Sequence, residues 1–385
     1  MATTPAVVPD RKPQHFMQLD AIRAVAAMAV IVFHEGAFNN MPFFGNLGNN
    51  GVAVFFVLSG FLITGILVRV RDDAERQKHG MGGVLRAFYA RRFLRIFPLY
   101  YLVLFLLVLL GVHDIRQTIP WHALYLSNIL AARAGQYPFP SHFWTLSVEE
   151  QFYLAWAPVV LFMPRRWLKG VAMAMIVIGS VSRLGVYVAT SHKVAAVALP
   201  TSCVDLLGIG CLLALLWNDG SSSHALRFRL GRIALCVGIT LLAVETALEL
   251  ADRGTKLRVM LFTLPVALIS FWLVDRATSG FDGLPGRLLS SRPLVYLGTI
   301  SYGLYVYHLF VPQVINALNL PFPQERGPAK VLAVLVVSVV VASLSWHLYE
   351  EPINRQKRRF PYDRKVSAPL TPPVGTSGDG RSEDM

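Results

Sequence analysis

Long apolar runs recur along the whole chain, at lengths that match the thickness of a lipid bilayer. A helix needs roughly 17 to 25 predominantly apolar residues to cross the hydrocarbon core. Of the 385 residues, 54% are hydrophobic and only 15% are charged, whereas soluble proteins are roughly 25% charged. We therefore predict an all-α, polytopic integral membrane protein with about ten transmembrane helices. Their predicted bounds are 17–38, 51–68, 96–112, 147–163, 170–190, 201–217, 233–250, 259–275, 294–318 and 331–349.

The basic residues between these runs predict the orientation. An even number of spans places both termini on one side of the membrane. If the amino terminus is cytoplasmic, most of the 36 Lys and Arg residues lie on the cytoplasmic side. Such a bias is the usual one in membrane proteins. It accounts for the net charge of +13 without a nucleic-acid partner. The chain then divides into a cytoplasmic segment (1–16), a membrane domain (17–359) and a disordered, Pro/Gly/Ser-rich cytoplasmic tail (360–385).

The first apolar run, 17–38, carries Asp20, Arg23 and His34. Charged side chains at membrane depth cost at least ~2.5–3.5 kcal/mol each, so they usually have a function. Arg23 and His34 are eleven residues apart, which places them within ~20° of one another around the helix and ~16 Å apart along it. Asp20 precedes Arg23 by one turn. The alternative is that Asp20 and Arg23 extend to the interface and His34 only packs against another helix.

Arg92 and Arg95 lie one helical turn apart, at the predicted cytoplasmic start of the third span. Arginines bind phosphate groups strongly, often through two parallel hydrogen bonds. The pair therefore predicts a site for a cytosolic ligand that carries phosphates. The alternative is that both arginines only anchor the span.

Two carboxylates enter the fourth span in the sequence WTLSVEEQFY. Ser147 and Glu150 match the capping box of a helix amino terminus, which explains Glu150 but leaves Glu149 without a structural role. The predicted topology places Glu149 and His34 in the same outer half of the membrane. Since a carboxylate beside an imidazole fixes its tautomer and increases its basicity, we predict that Glu149 orients His34 as a general base.

Other polar or small residues near the spans admit two interpretations. Ser59 and Gly60 permit either close helix packing, which we favour, or backbone access to a ligand. His308 lies among tyrosines near a span end, where a structural role is common and a catalytic one is open. We predict no metal site and no disulfide, because the three cysteines lack suitable spacing; they are Cys203, Cys211 and Cys236.

Six motifs occur in an order that resembles the membrane acyltransferase family 3 proteins, which include the bacterial O-acetyltransferases of surface polysaccharides. The similarity extends from Leu19 to about Arg359. The sequence departs from the family pattern at Ala21 and Ala24, where Gly is common, and at Leu309, where Pro is frequent. The motifs are LDAIRAVAAMAVIVFH, FFVLSGFLIT, RRFLRIFPLYY, FWTLSVEEQFYL, SYGLYVYHLF and YEEPINR.

This resemblance implies a ten-helix enzyme of the bacterial inner membrane. It would transfer an acyl group, commonly acetyl, from cytosolic acyl-CoA to a hydroxyl of a surface or lipid-linked glycan, with acyl-CoA as a donor substrate rather than a permanently bound cofactor. Small-molecule or oligosaccharide acceptors remain alternatives within the family. Two other classes also remain open: a proton-coupled transporter and a non-catalytic protein of polysaccharide assembly.

The family motifs also imply roles for individual residues. Arg23 and His34 match its Arg/Lys-ten-residues-His motif, and Arg92 and Arg95 match its Arg-x-x-Arg motif. His34 would be the general base, or would itself be acylated before transfer. The arginines at 92 and 95 would hold the CoA phosphates, and Arg23 with Asp20 would line the donor path. The segment 59–63 and Glu149 match further signatures of the family.

Overall fold

The described part of the chain is entirely helical apart from turns and short connections. The computed structural model describes residues 16–36, 46–112, 115–220, 223–317, 319, 321–323, 325 and 327–362, and it contains no strand within them. The all-α prediction is therefore confirmed for these residues. The predicted tail beyond residue 362 and nearly all of the predicted amino-terminal segment lie outside the described residues.

Eighteen α-helices form the described bundle. Short 3₁₀ turns cover Pro200–Ser202 and Gln356–Arg359, and a π-helical turn covers Trp346–Glu350. The α-helices are α1 Met17–His34, α2 Leu47–Arg76, α3 Met81–Leu109, α4 Ile115–Ala123, α5 Ser127–Ala134, α6 Phe143–Phe162, α7 Arg165–Thr190, α8 Lys193–Ala198, α9 Val204–Asn218, α10 His224–Leu250, α11 Thr255–Leu261, α12 Leu264–Ser279, α13 Gly283–Leu289, α14 Arg292–Thr299, α15 Ser301–Tyr307, α16 Val311–Ala317, α17 Pro328–Ser345 and α18 Glu351–Arg355.

Seven helical segments in the described residues are long and apolar enough to cross a membrane. They support a multi-pass membrane protein, but the predicted count of about ten and the side on which the termini lie are not confirmed. The predicted span 294–318 is divided into three short helices, α14 to α16. The seven are Met17–His34, Leu47–Arg76, Met81–Leu109, Arg165–Thr190, His224–Leu250, Thr255–Ser279 and Pro328–Arg359.

Helix α2 is central, and it packs against α9 through backbone contacts that only glycine permits. A Cβ atom built on Gly60 would lie 2.1 Å from the carbonyl oxygen of Leu207, and one built on Gly210 would lie 2.1 Å from that of Val57. Both distances are far below van der Waals contact. The packing role predicted for Gly60 is therefore confirmed.

A buried ion pair connects α7 with α9. Arg183 of α7 is 1% exposed and binds Asp205 of α9 at 2.5 Å, and its guanidinium also donates to the carbonyl oxygens of Ser202 and Met260 at 2.6 and 3.1 Å. Because a charge in an apolar interior is costly unless it is paired and hydrogen-bonded, this network holds α7, α9 and α11 in one arrangement.

The two ends of the bundle differ in their chemistry. His34 ends α1, and the aromatic ring of Phe33 lies against Gly48 at the start of α2. We call this the histidine end. The opposite end, where Arg92 of α3 lies beside the segment that follows α18, is the arginine end.

Candidate active site

Two histidines from distant parts of the sequence meet at the histidine end. The Nδ1 atom of His34 lies 3.1 Å from Nε2 of His308 and 3.0 Å from the carbonyl oxygen of Val30. The Nδ1 atom of His308 lies 2.7 Å from the carbonyl oxygen of Tyr305. His308 is completely buried and ends α15, so its ring is held by its own helix.

These contacts assign the tautomers of both rings. A carbonyl oxygen only accepts hydrogen bonds, so the proton between His308 and Tyr305 belongs to Nδ1 of His308. Neutral His308 then has a lone pair on Nε2, and the proton between the two rings must come from Nδ1 of His34. The carbonyl of Val30 independently requires a proton on that same atom. The assignment leaves the lone pair of neutral His34 on Nε2.

A third imidazole completes what we call the histidine cluster, namely His34, His142 and His308. The ring centroid of His142 is 4.9 Å from that of His308. Its Nε2 atom donates to the carbonyl oxygen of Val306 at 3.2 Å, and its buried Nδ1 atom has no hydrogen-bond partner in the described residues. Sequence reasoning gave His142 no role, since nothing in its spacing connects it to His34.

His122 of α4 lies behind this cluster and is 1% exposed. Neither ring nitrogen has a hydrogen-bond partner among the described residues. Burial lowers the pKa of His122 to about 4, because an imidazolium loses its hydration in an apolar environment. His122 is therefore neutral at physiological pH. The described residues contain no group of His, Cys, Asp and Glu side chains arranged to hold a metal ion.

The predicted pairing of Glu149 with His34 is wrong. The carboxylate of Glu149 accepts a hydrogen bond from the hydroxyl of Ser59, which in turn accepts one from Tyr153 at 3.0 Å. Glu149 lies seven residues into α6 from His142, or ~10 Å deeper along the helix axis. His308 occupies the position beside His34 that was expected for the carboxylate.

The capping box predicted at Ser147 is also wrong. Helix α6 begins at Phe143, four residues earlier, so Ser147 lies inside the helix. Its hydroxyl bonds to that of Ser127 at 2.7 Å and donates to the carbonyl oxygen of Phe143. Glu150 has a different place: its Oε1 atom is buried without a partner in the described residues, and the carboxylate faces Arg92.

Arg92 and Arg95 lie together at the arginine end, as predicted. The guanidinium of Arg92 lies 4.5 Å from the ring centroid of Tyr153, and that of Arg95 lies 5.4 Å from the centroid of Trp346. The Nε atom of Arg92 is buried and has no hydrogen-bond partner in the part of the chain that the structure describes. The pair therefore retains hydrogen-bonding capacity for an anion.

The charges around these two arginines come from α1, α6 and the π-helical turn. Glu149 and Glu150 act on Arg92, while Arg23, Glu350 and Asp20 act on Arg95. Arg23 itself pairs with Asp20 at 3.7 Å, which confirms the predicted contact. We call Arg92, Arg95 and Arg23 the arginine cluster. Glu149 thus belongs to this cluster and not to the histidine cluster.

The fold and the site together define a class of protein. It is a multi-pass helical protein with neutral imidazoles at one end and clustered arginines at the other. The family model named acyltransferase domain (Acyl_transf_3) matches residues 17–347. The chain belongs to this family, as the sequence motifs predicted.

Three of the similar proteins show how far the likeness extends. The chain is 30% identical to YrhL of Bacillus subtilis, whose naming as a peptidoglycan O-acetyltransferase is provisional, over 90% of this chain and 56% of that protein. It is 29% identical to peptidoglycan O-acetyltransferase OatA of Listeria monocytogenes, over 88% of this chain and 55% of that protein. It is 25% identical to O-acetyltransferase OatA of Staphylococcus aureus, over 89% of this chain and 58% of that protein.

The chain spans little more than half the length of these curated relatives. The similarity therefore concerns only part of each relative. No solved structure matches the chain.

Proposed function

We propose that the protein is an acyl-CoA-dependent O-acyltransferase of the bacterial inner membrane, which transfers an acetyl group to a hydroxyl of a cell-surface glycan. The names of its relatives favour peptidoglycan or its lipid-linked precursor as the acceptor. The observation that carries the proposal is the contact between His34 and His308, because it leaves Nε2 of His34 as an available base.

The donor would bind at the arginine end. Arg92 and Arg95 would contact the CoA phosphates, for which a guanidinium is well suited. This arrangement places the arginine end in the cytoplasm, in agreement with the bias of basic residues. The pantetheine arm would then extend past Arg23 and Asp20 toward His34, with the acyl group at its tip.

In the reaction, Nε2 of His34 takes the proton of the acceptor hydroxyl as its oxygen attacks the thioester carbonyl. The new imidazolium keeps its Nδ1 proton directed at Val30 and His308, two acceptors that become stronger partners when the ring is charged. When the C–S bond breaks, the CoA sulfur leaves with the electron pair and receives the proton from His34. General base help of this kind contributes ~10²–10⁴ in rate.

His308 therefore takes the orienting role that was expected of Glu149. Glu149 instead balances the charge of Arg92. Through its hydrogen bond with Ser59, which also bonds to Tyr153, it connects α6 with α2. A covalent acyl-His34 intermediate uses the same free nitrogen and is the second form of the mechanism. Trapping of acetyl on His34 in single-turnover mass spectrometry would distinguish the two forms.

The test is transfer of radiolabelled acetyl from acetyl-CoA to lipid-linked peptidoglycan precursor by the protein reconstituted in liposomes. Wild-type protein is expected to produce alkali-labile acetyl ester, and His34→Ala is not. His79→Ala, at a partly exposed histidine in the turn after α2, is the matched control. Accumulation of a solute in the liposomes without consumption of acetyl-CoA would instead indicate a transporter.

A further inference from the structure

The segment after the last helix folds back against α3 at the arginine end. One guanidinium nitrogen of Arg91 donates to the carbonyl oxygens of Lys357 and Phe360, at 3.1 and 3.2 Å. The same guanidinium lies 4.8 Å from the ring centroid of Tyr362. We call residues 351–362 the carboxyl-terminal arm. These contacts fix the arm beside the arginine cluster.

The arm adds a lysine to the arginines at this place. The ammonium group of Lys357 is half-buried, and the charged groups that act on it within the described residues are Arg91, Arg92 and Arg95. By contrast, Arg355 on the same arm pairs with Glu351 at 2.9 Å. Because like charges in a partly dehydrated place repel one another, an anion with several negative charges would stabilise the arrangement.

An unused amide lies next to this group of cations. Both side-chain polar atoms of Asn354 are buried, and neither has a hydrogen-bond partner in the described part of the chain. Glu350, at the end of the π-helical turn, and Asn354 and Lys357 of the arm follow one another on one side of the helical chain, at spacings of four and three residues. Glu350 and Lys357 both act on Arg95, so Asn354 between them faces the same space.

These groups together match one class of ligand. A primary amide offers a donor and an acceptor side by side, the pair that binds the amino group and ring nitrogen of adenine. Lysine and arginine beside it suit phosphate. We propose that the carboxyl-terminal arm completes a site for an adenine nucleotide that carries several phosphates, with Asn354 on the base and Lys357 on a phosphate.

Under the proposed function, this ligand is the nucleotide half of acyl-CoA, and that identification rests on the proposed function. Arg92 and Arg95 then contact the phosphates from α3 while Lys357 contacts them from the arm. The donor is held between two elements that are far apart in sequence. The arm, rather than α3 alone, determines that the nucleotide contains adenine.

The experiment measures binding of adenosine 3′-phosphate 5′-diphosphate to the full chain in lipid nanodiscs, with the guanosine analogue and inorganic pyrophosphate as competitors. Lys357→Gln is expected to weaken binding of the adenine nucleotide about tenfold and to reduce its dependence on salt. Asn354→Leu is expected to abolish the preference for adenine over guanine. Arg358→Gln, an exposed cation on the same turn, is the matched control and should bind as wild type does.

Each other outcome has a definite meaning. Equal loss in Lys357→Gln and Arg358→Gln, or no loss in either, would overturn the phosphate contact. Pyrophosphate that competes as well as the nucleotide would overturn the contact of Asn354 with the base, and Asn354→Gln tests whether Asn354→Leu fails only through packing. Nucleotide binding that depends on Lys357 without any acyl transfer would leave this site in place and refute the proposed function. If Lys357→Gln transfers acyl groups with an unchanged KM for acetyl-CoA, the proposed function stands and the contact of Lys357 with the nucleotide is refuted.

Discussion

The histidine cluster and the arginine cluster stabilise their polar side chains inside an apolar bundle in opposite ways. At the histidine end the rings bond to one another and to backbone carbonyls of Val30, Tyr305 and Val306, so each proton has a fixed position. At the arginine end full charges are balanced by carboxylates and aromatic faces, and several polar atoms have no hydrogen-bond partner among the described residues. The first arrangement suits proton transfer and the second suits capture of an anion.

The two clusters are also separated along the bundle. Arg23 and His34 belong to the same helix but lie eleven residues apart, which corresponds to ~16 Å. No side chain extends over that distance. If one reaction uses both clusters, then the substrate itself must join them, and damage to each cluster should affect a different kinetic constant.

The largest expected effect is at the histidine end. His34→Ala should lower kcat for acetyl transfer by ~10²-fold or more, because the general base is lost, while the KM for acetyl-CoA stays within about twofold. The measurement is steady-state transfer in liposomes at equal protein content. A tenfold rise in KM with kcat unchanged would show that His34 belongs to the donor site instead.

Replacement of His308 should separate positioning from packing. His308→Gln retains an acceptor for the Nδ1 proton of His34 and should keep roughly a tenth of the wild-type kcat, whereas His308→Leu should fall about a further tenfold. Both variants should bind acetyl-CoA normally. If Gln and Leu at this position give the same kcat, then the orientation of His34 does not depend on this hydrogen bond.

At the arginine end the expected change is in donor affinity. Arg92→Ala should raise the KM for acetyl-CoA roughly tenfold, because a charge-assisted contact is lost, with kcat reduced much less. The effect should shrink in high salt, since screening already weakens the wild-type contact. Arg116→Ala, which removes an exposed arginine at the start of α4, is the control.

Between the clusters, a change in packing should alter stability rather than kinetics. Gly60→Ala places a methyl group against the backbone of α9 and should destabilise the protein by about 1–3 kcal/mol. Gly65→Ala lies on the same helix with nothing within 4 Å of the added carbon, and it should be as stable as wild type. Thermal unfolding in detergent, followed by circular dichroism, compares the two; equal midpoints would contradict the close contact.

The smallest effect at neutral pH is expected for His122. Its pKa is lowered from 6.5 to about 4, so the neutral ring contributes stability above pH 6.5 that is lost as the pH falls toward 4. Wild-type protein should therefore lose more thermal stability between pH 7 and pH 4 than His122→Leu does. Parallel pH profiles for the two proteins would refute the burial of an uncharged imidazole.

The apolar runs predicted most of the helices because their lengths are imposed by the bilayer. Contacts within one helix were also predictable: Asp20 with Arg23, and Arg92 with Arg95, depend only on a repeat of 3.6 residues per turn. Glu149 was misplaced because its neighbours depend on how far α6 is displaced along its axis relative to α1. That register is decided by packing between helices, which no single sequence motif encodes.

The same limit applies to the contacts between helices that sequence reasoning missed. His142 and His308 meet only because α15 ends at His308 and α6 begins just after His142. Arg183 was visible as a charge in an apolar run, but its partner Asp205 is 22 residues away on another helix. An intramembrane charge is a sequence signal, whereas the identity of its partner is a property of the fold.

The glycine contact between α2 and α9 has a mechanical consequence. Two backbones that touch without intervening side chains cannot slide past one another, because any shift would drive a carbonyl oxygen into the facing chain. The contact thus fixes α2 and α9 relative to one another. By contrast, α14, α15 and α16 are short helices of eight, seven and seven residues. His308 directly follows α15, so the acceptor of the His34 proton is carried by a short helix outside this fixed contact.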